Sequence, residues 1–153
     1  MNRFDSFEEE GLSTPQKILL VLFVIIYPLF VSMHTMLPPL IGLVGYVLII
    51  AIEKEQVYAF APLFYLLNLD LNLSLPLLLS TFIIMLIYFF IYMPLKRLVR
   101  CKVCLLFATI TIIDVLYYIF LFIYDFIFNV NTVLADMLLI YYIMIDILLG
   151  VLL

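Results

Sequence analysis

Residues 96–102 have the sequence Lys-Arg-Leu-Val-Arg-Cys-Lys and separate two long apolar segments of a 153-residue chain. This short loop contains four of the seven basic residues: Lys96, Arg97, Arg100 and Lys102. The remaining basic residues lie in the N-terminal region or in one other connection between apolar segments; they are Arg3, Lys17 and Lys54. In membrane proteins, lysine and arginine collect in the short loops on the cytoplasmic side. The distribution therefore predicts an all-α, polytopic transmembrane bundle with this loop and both termini in the cytoplasm.

The overall composition indicates the same class of protein. Hydrophobic residues make up 69% of the chain and charged residues 12%, and the mean hydropathy of +1.35 is far above that of soluble domains. A soluble chain of this size could not bury so much apolar surface in one core. The net charge of −4 argues against a basic face for nucleic acid. We therefore expect membrane lipids, and no nucleic acid, among the partners, with the four loop cations near anionic headgroups.

We predict one transmembrane domain, residues 14–153, after an acidic cytoplasmic tail, residues 1–13. Six apolar spans are expected to cover residues 18–33, 38–52, 57–69, 76–92, 103–128 and 133–153. Prolines set several of these bounds. Pro38 and Pro76 fit the first turn of a helix, where a missing N–H costs nothing, whereas Pro94 is expected to end the fourth span.

The third predicted span is unusually short. Residues 57–69 would form a helix of about 20 Å, whereas the hydrocarbon core of a bilayer is about 30 Å thick. The segment is either a short helix that crosses while buried in protein, or a re-entrant segment that returns to the side from which it came. The charge pattern favours a true crossing, because the basic loops before and after it then lie on the same side.

Aspartates are the main candidates for function. Asp70 ends the third span, and the last two spans contain four more acids, of which Asp114 and Asp146 lie deepest. No lysine or arginine in these two spans could pair with them, and a buried unpaired carboxylate is costly. One interpretation is a proton or cation site that faces the interior of the bundle. The other, which we favour, is a hydrogen-bonded structural role, with Thr111 or a tyrosine as partner, or a contact with another protein.

Other residues suggest packing more than chemistry. Gly42 and Gly45 share a helix face and are expected to let a neighbouring helix approach closely. Cys101 and Cys104 have half of a zinc-site spacing, but no second pair accompanies them, and His34 is expected to be a solvated turn residue on the opposite side. We therefore predict no metal and no cofactor. The chain also has no hydrolase or phosphate-loop motif, which argues against an enzyme.

The middle of the chain, residues 37–102, resembles the bacterial rod shape-determining protein MreD family. The resemblance rests on an apolar helix that ends in an acid, residues 64–70, then Ser74-Leu75-Pro76-Leu77, and then a span that stops at Lys96-Arg97. An earlier stretch, Leu37-Pro38-Pro39 followed by an apolar span to Glu53-Lys54, also fits. Two glycines of the family pattern are absent, and Asn68 and Leu78 stand near their positions.

The resemblance implies a non-enzymatic scaffold of the cell-wall elongation machinery in the bacterial inner membrane. A single-span scaffold protein and a peptidoglycan synthase would be its partners, and Asp70, Pro76, Asp114 and Asp146 its functional or partner-contact residues. Members of the family are similar in architecture to substrate-binding subunits of vitamin transporters, so a small transporter is the alternative. A transporter should have a water-accessible pocket around the aspartates, and a scaffold should lack one.

Overall fold

The computed structural model describes residues 14–34, 37–53, 59–99, 101–129 and 138–152. Within these ranges the chain forms six helices and no strand, which confirms the predicted all-α class. The helices are α1 (Thr14–Met33), α2 (Ile41–Glu53), α3 (Phe60–Asn72), α4 (Leu79–Leu98), α5 (Lys102–Phe128) and α6 (Leu138–Leu152). The acidic tail, residues 1–13, lies outside the described residues, as do Arg3, Lys54 and Arg100.

Two prolines that were expected inside the first turn of a helix lie before the helix instead. Pro38 precedes α2, which begins at Ile41, and Pro76 precedes α4, which begins at Leu79. In both places a leucine with positive φ separates the proline from the helix: Leu40 with φ 51° and Leu78 with φ 71°. This left-handed residue redirects the chain just before the helix begins, so the proline belongs to the turn.

The prediction that Pro94 ends the fourth span is wrong. Helix α4 continues through Pro94 to Leu98, because a π-helical turn, Tyr88–Tyr92, comes immediately before it. In this wider turn the Met93 N–H bonds to the Tyr88 carbonyl, five residues earlier. Pro94 therefore lies in the first turn of a new α-helical segment, where the lack of an N–H is tolerated. As a consequence, Lys96 and Arg97 belong to the last turn of α4 and not to a loop.

Helix α2 lies at the centre of the bundle. It packs against α3, α4, α5 and α6, whereas α1 packs mainly against α3. Residues of α2 such as Leu48 and Ile49 are completely or almost completely buried, and they belong to the same hydrophobic core as Ile84 of α4 and Ile113 of α5.

The outer surface of the bundle is apolar. Two helical stretches, Leu79–Leu98 and Val103–Phe128, are long and apolar enough to cross a membrane. Only 39% and 33% of their most apolar 18-residue stretches are buried, so much of the surface of both helices faces outward. Large side chains such as Ile18 of α1 and Phe126 of α5 are exposed. Such a surface suits contact with lipid.

Candidate functional site

Helix α2 begins inside the protein. Leu40 and Ile41, at its start, are only 5% and 2% exposed, and the preceding Pro38 is also buried. The first N–H groups of any helix have no partner within the helix, and water normally satisfies them when no side chain does. Here water has little access. A leucine in the N-cap position has no side-chain oxygen that could accept a hydrogen bond, so the acceptors must come from elsewhere in the fold.

Two aspartates from other helices provide these acceptors. The Asp146 carboxylate of α6 accepts a hydrogen bond from the Leu43 N–H, with an N–O distance of 3.1 Å. The Gly42 N–H interacts with the carboxyl groups of both Asp146 and Asp114, the latter from the middle of α5. Asp114 is 4% exposed and Asp146 only 1%. The two deep acids predicted from the sequence thus meet at one place, the N-terminus of α2.

The carbonyl groups of the same segment are bound by tyrosines. The Tyr27 hydroxyl of α1 donates to the Pro38 carbonyl at 2.9 Å, and the Tyr65 hydroxyl of α3 donates to the Pro39 carbonyl at 2.8 Å. The rings of these two tyrosines are stacked on one another and on Phe23. Non-helical backbone is tolerated deep in a membrane protein only where its polar groups are satisfied, and here side chains from four helices do so.

Asp70 provides an acceptor for the first N–H groups of α4. Its carboxylate accepts the Ser80 N–H at 3.2 Å and, through its other oxygen, the Ser80 hydroxyl. The Ser80 hydroxyl also lies 3.4 Å from the Tyr117 hydroxyl of α5. Asp70 and Ser80 are both completely buried. Because Leu78 in the N-cap position has no acceptor of its own, the carboxylate at the end of α3 caps the next helix.

The two glycines predicted for close packing lie on the face of α2 that meets α5. A Cβ atom at Gly42 would lie 2.5 and 2.6 Å from the two carboxylate oxygens of Asp114, which leaves no room for any side chain. A Cβ atom at Gly45 would lie 3.1 Å from an Ile84 methyl and 3.2 Å from an Ile113 methyl. Gly42 therefore allows the approach of a polar group, and Gly45 the approach of apolar ones.

Thr111, one of the two kinds of partner that the sequence suggested for Asp114, bonds elsewhere. The Thr111 hydroxyl donates to the Phe107 carbonyl of its own helix, and the Asp114 carboxyl interacts with backbone N–H instead. Thr and Ser often bond to the carbonyl one turn earlier in a helix. The contributions of Tyr27, Tyr65 and Ser80 were not predicted, because nothing in their local sequence indicates which buried turn they will face.

One oxygen of each deep carboxyl group has no hydrogen-bond partner among the described residues. These atoms are Oδ2 of Asp114 and Oδ1 of Asp146. Buried polar atoms are rarely left unsatisfied. The two groups interact electrostatically with each other, and no described lysine, arginine or histidine forms an ion pair with either. This pair is the chemically unusual feature of the site.

The remaining candidate residues lie away from this centre. Pro76 is exposed, and its carbonyl accepts the Leu79 N–H at 3.1 Å. Lys96 forms an ion pair with Glu53 at the end of α2, and Glu53 also accepts the Tyr92 hydroxyl at 3.0 Å. The hydrogen bond from Lys96 lowers the pKa of the Glu53 carboxyl.

Arg97 lines a shallow surface depression with Met93, Pro94 and Leu98. The Lys102 position begins α5.

Cys101 and Cys104 are exposed free thiols at the start of α5. Cys101 is the N-cap residue, and its sulfur accepts the Cys104 N–H at 3.3 Å. The hydrogen bond from the Cys104 thiol lowers the pKa of Cys101. Among the described residues no group of three or more potential ligands could hold a metal ion. His34 is exposed after the end of α1.

Comparisons with protein families, with curated proteins and with solved structures found no match for this chain. The resemblance of residues 37–102 to the MreD family therefore stays a prediction from the sequence.

Proposed function

We propose that this protein is a non-enzymatic, multi-pass scaffold of the bacterial inner membrane that serves the cell-wall elongation machinery, as MreD does. Its partners would be other membrane proteins of that machinery, a single-span scaffold protein and a peptidoglycan synthase. The proposal joins the resemblance of residues 37–102 to what the buried acids do in the fold.

The observation that carries the proposal is that all three aspartates buried in the described part of the chain hold the bundle together. Asp70, Asp114 and Asp146 are at most 4% exposed, and each interacts with the N-terminal backbone of a neighbouring helix. Two surface depressions in the described part of the protein lie away from the aspartates, beside Arg97 and beside Thr111. A bundle whose acids are buried against helix termini suits a scaffold better than a carrier, which needs a pocket that water and substrate can enter.

The exterior suits a membrane scaffold as well. The described faces of α1 and α5 are exposed and apolar, with Phe30 and Phe122 as examples, and lipid or a partner helix could cover them. Six crossings with both termini in the cytoplasm would place Lys96 and Arg97 on the cytoplasmic side, near anionic headgroups. This placement follows from the charge distribution of the sequence.

Deletion and complementation in the native cell would test the scaffold role. Cells without the protein should lose their rod shape, and the wild-type gene should restore it. The tagged protein should co-purify with a peptidoglycan synthase of the same cell. The Asp114→Asn variant should also restore cell shape, because an amide can accept and donate hydrogen bonds at the start of α2. Normal shape after deletion, with no synthase recovered, would contradict the proposal.

A small transporter is the second candidate, and one observation favours it. Helix α2 begins within the bundle beside a carboxyl pair with two unbonded oxygens, and helix N-termini inside the bundle contribute to the ion and substrate sites of many transporters. Purified protein in liposomes that enclose a pH-sensitive dye would test for proton movement. Flux above that of protein-free liposomes, abolished in Asp114→Asn at equal protein content, would replace the scaffold proposal. Equal flux with and without protein would remove the proton-carrier alternative.

A further inference from the structure

Asp114 and Asp146 approach the same helix terminus from two different helices. The Gly42 N–H interacts with both carboxyl groups, and the Leu43 N–H bonds to Asp146. Positive charge equivalent to about half an elementary charge resides at a helix N-terminus. This charge and the two N–H donors can stabilise one carboxylate in a buried place. A second negative charge beside the first would be repelled by it and would lack compensation.

The unbonded atoms of the site suggest how the second charge is avoided. Each carboxyl group has one oxygen bound to the start of α2 or directed at it, and one oxygen without a partner. A single proton bound by the pair would make one carboxyl group a hydrogen-bond donor and leave the other as an acceptor. The net charge of the pair would then be −1, and the positive helix terminus would offset part of it.

We propose that Asp114 and Asp146 form a proton-binding site, in which one proton taken up from solution is shared between the two carboxyl groups. The site holds α5 and α6 to the start of α2. This inference goes beyond the scaffold role and does not depend on it, because it concerns the charge state of the folded bundle whatever the bundle binds.

The surroundings of the pair contain no described group that would neutralise a second negative charge. Among the described residues, tyrosines from three helices interact with the pair: Tyr27 of α1, Tyr65 of α3 and Tyr118 of α5. Helix α2 contributes only backbone N–H groups at this end. The nearest acid of α3, Asp70, is occupied by Ser80 of α4. A neutral tyrosine can donate a hydrogen bond, but Tyr27 and Tyr65 already donate to proline carbonyls.

Infrared difference spectroscopy of the purified protein would test the proposal. At neutral pH the wild type should show the C=O stretch of a protonated carboxylic acid, and either single variant, Asp114→Asn or Asp146→Asn, should lose it. In each variant the asparagine amide N–H donates a hydrogen bond to the remaining carboxylate and so replaces the shared proton. The remaining aspartate then has no need to be protonated. Asp125→Asn, near the end of α5, is the control and should keep the band. A band that survives in either of the two single variants would overturn the shared proton, and so would its absence from the wild type.

The pH dependence of unfolding supplies a second readout. The folded pair retains a proton that the unfolded chain releases above the ordinary pKa of aspartate, so the wild type should lose stability as the pH rises. One proton corresponds to an approximately tenfold fall in the folding equilibrium constant per pH unit over that window. In both single asparagine variants, the folding equilibrium constant should no longer fall in this way as the pH rises. A wild-type slope that persists unchanged in Asp114→Asn and Asp146→Asn would assign the effect to other groups and overturn the proposal.

Discussion

The N-cap residue of α2 and of α4 is a leucine, which has no side-chain acceptor for the first N–H groups of the helix. This explains why aspartates from other helices lie deep in the bundle. Serine, threonine, asparagine or aspartate in that position would bind the first N–H groups locally. Leu40 and Leu78 cannot, and both helices instead receive a carboxylate from another helix. The aspartates therefore fix tertiary structure: each one ties the start of one helix to the middle or end of another. Removing them should cost more than removing an ordinary buried hydroxyl.

Asp70→Ala is expected to destabilise the protein by about 2–4 kcal/mol, since it leaves the Ser80 N–H unpaired and creates a small void. Thr109→Val is the matched control. Thr109 is also buried, at 1% exposed, but its hydroxyl donates only to the Leu105 carbonyl of its own helix, so the change should cost no more than about 1 kcal/mol. Chemical or thermal unfolding in detergent would measure both. Equal losses in the two variants would show that Asp70 does not cap α4.

Gly42→Ala should disturb the carboxyl pair directly. The new methyl group would lie 2.5 Å from an oxygen of Asp114, which is itself buried. We expect a loss of about 1–3 kcal/mol, typical of overpacking. Gly45→Ala is the control on the same face, where the nearest contact is an isoleucine methyl at 3.1 Å. There the better helix propensity of alanine, about 1 kcal/mol, offsets much of the strain. Unfolding temperatures that fall equally in both variants would refute this difference.

Helices α2 and α4 form a junction through side chains at their C-terminal ends. Lys96 and Tyr92 of α4 both bond to Glu53 of α2. The π-helical turn Tyr88–Tyr92 carries Tyr92 and lets the helix continue through Pro94 to Lys96. Without that turn the helix would be expected to stop near Pro94 and the junction would not form. The turns at the opposite ends of these helices depend on the left-handed leucines.

Leu78→Gly should stabilise the start of α4. A leucine with φ 71° is strained, at a cost of about 1–2 kcal/mol, whereas glycine adopts this conformation freely. Leu78 is 50% exposed, so little packing is lost. Leu77→Gly is the control, because Leu77 is similarly exposed but has an ordinary φ; glycine there should destabilise by about 0.5–1 kcal/mol. The unfolding temperature should therefore rise in Leu78→Gly and fall in Leu77→Gly, and a fall in both would contradict the prediction.

The Glu53–Lys96 junction should weaken in acid. The pKa of Glu53 is lower in the folded protein than in the unfolded chain, so its contribution is present above the unfolded pKa and is lost as the pH falls through the folded value. Both side chains are partly exposed, at 31% and 48%, and the effect should be at most about 1 kcal/mol. In Glu53→Gln this part of the acid dependence should disappear. An unchanged acid dependence in that variant would assign it to other carboxyl groups.

The bundle as a whole is organised around α2, which is in contact with α3, α4, α5 and α6. Helix α3 follows α2 and leads to the turn at residues 73–78, from which α4 returns to Glu53. This path runs from one end of the bundle towards the other and back. If α3 crosses the membrane, the turn at residues 73–78 is exposed on the outer side. If α3 is re-entrant, the turn is exposed on the inner side, and labelling can distinguish the two.

Cysteine labelling should place His34, Ser74 and Asn129 on the outer face of the membrane. All three are exposed in turns, and each would be replaced by cysteine in a Cys101→Ser, Cys104→Ser background. A membrane-impermeant thiol reagent should label all three in intact cells. The wild-type Cys101, which follows the basic end of α4, is the control and should react only after permeabilisation. If Ser74→Cys also required permeabilisation, α3 would not cross and the six-span prediction would be wrong.

The composition and the charge pattern predict the helical class and most of the helix positions. Long apolar runs can satisfy their backbone in lipid only as helices, and the fifth predicted span, residues 103–128, differs from α5 by a single residue at its start. The deep aspartates could also be singled out from the sequence alone, because an acid without a local cation is costly wherever it lies in an apolar span. These inferences need only the local composition and the nature of the solvent.

Only the tertiary structure decided what the aspartates bind. Asp146 is 103 positions from Leu43 in sequence, and no local pattern connects a carboxylate with an N–H group at that distance. The same holds for Tyr65 and the Pro39 carbonyl. The continuation of α4 past Pro94 likewise depends on one π-helical turn, which a proline-based prediction does not include. Helix formation follows from local backbone chemistry, whereas the partner of a buried polar group is chosen by the packing of whole helices.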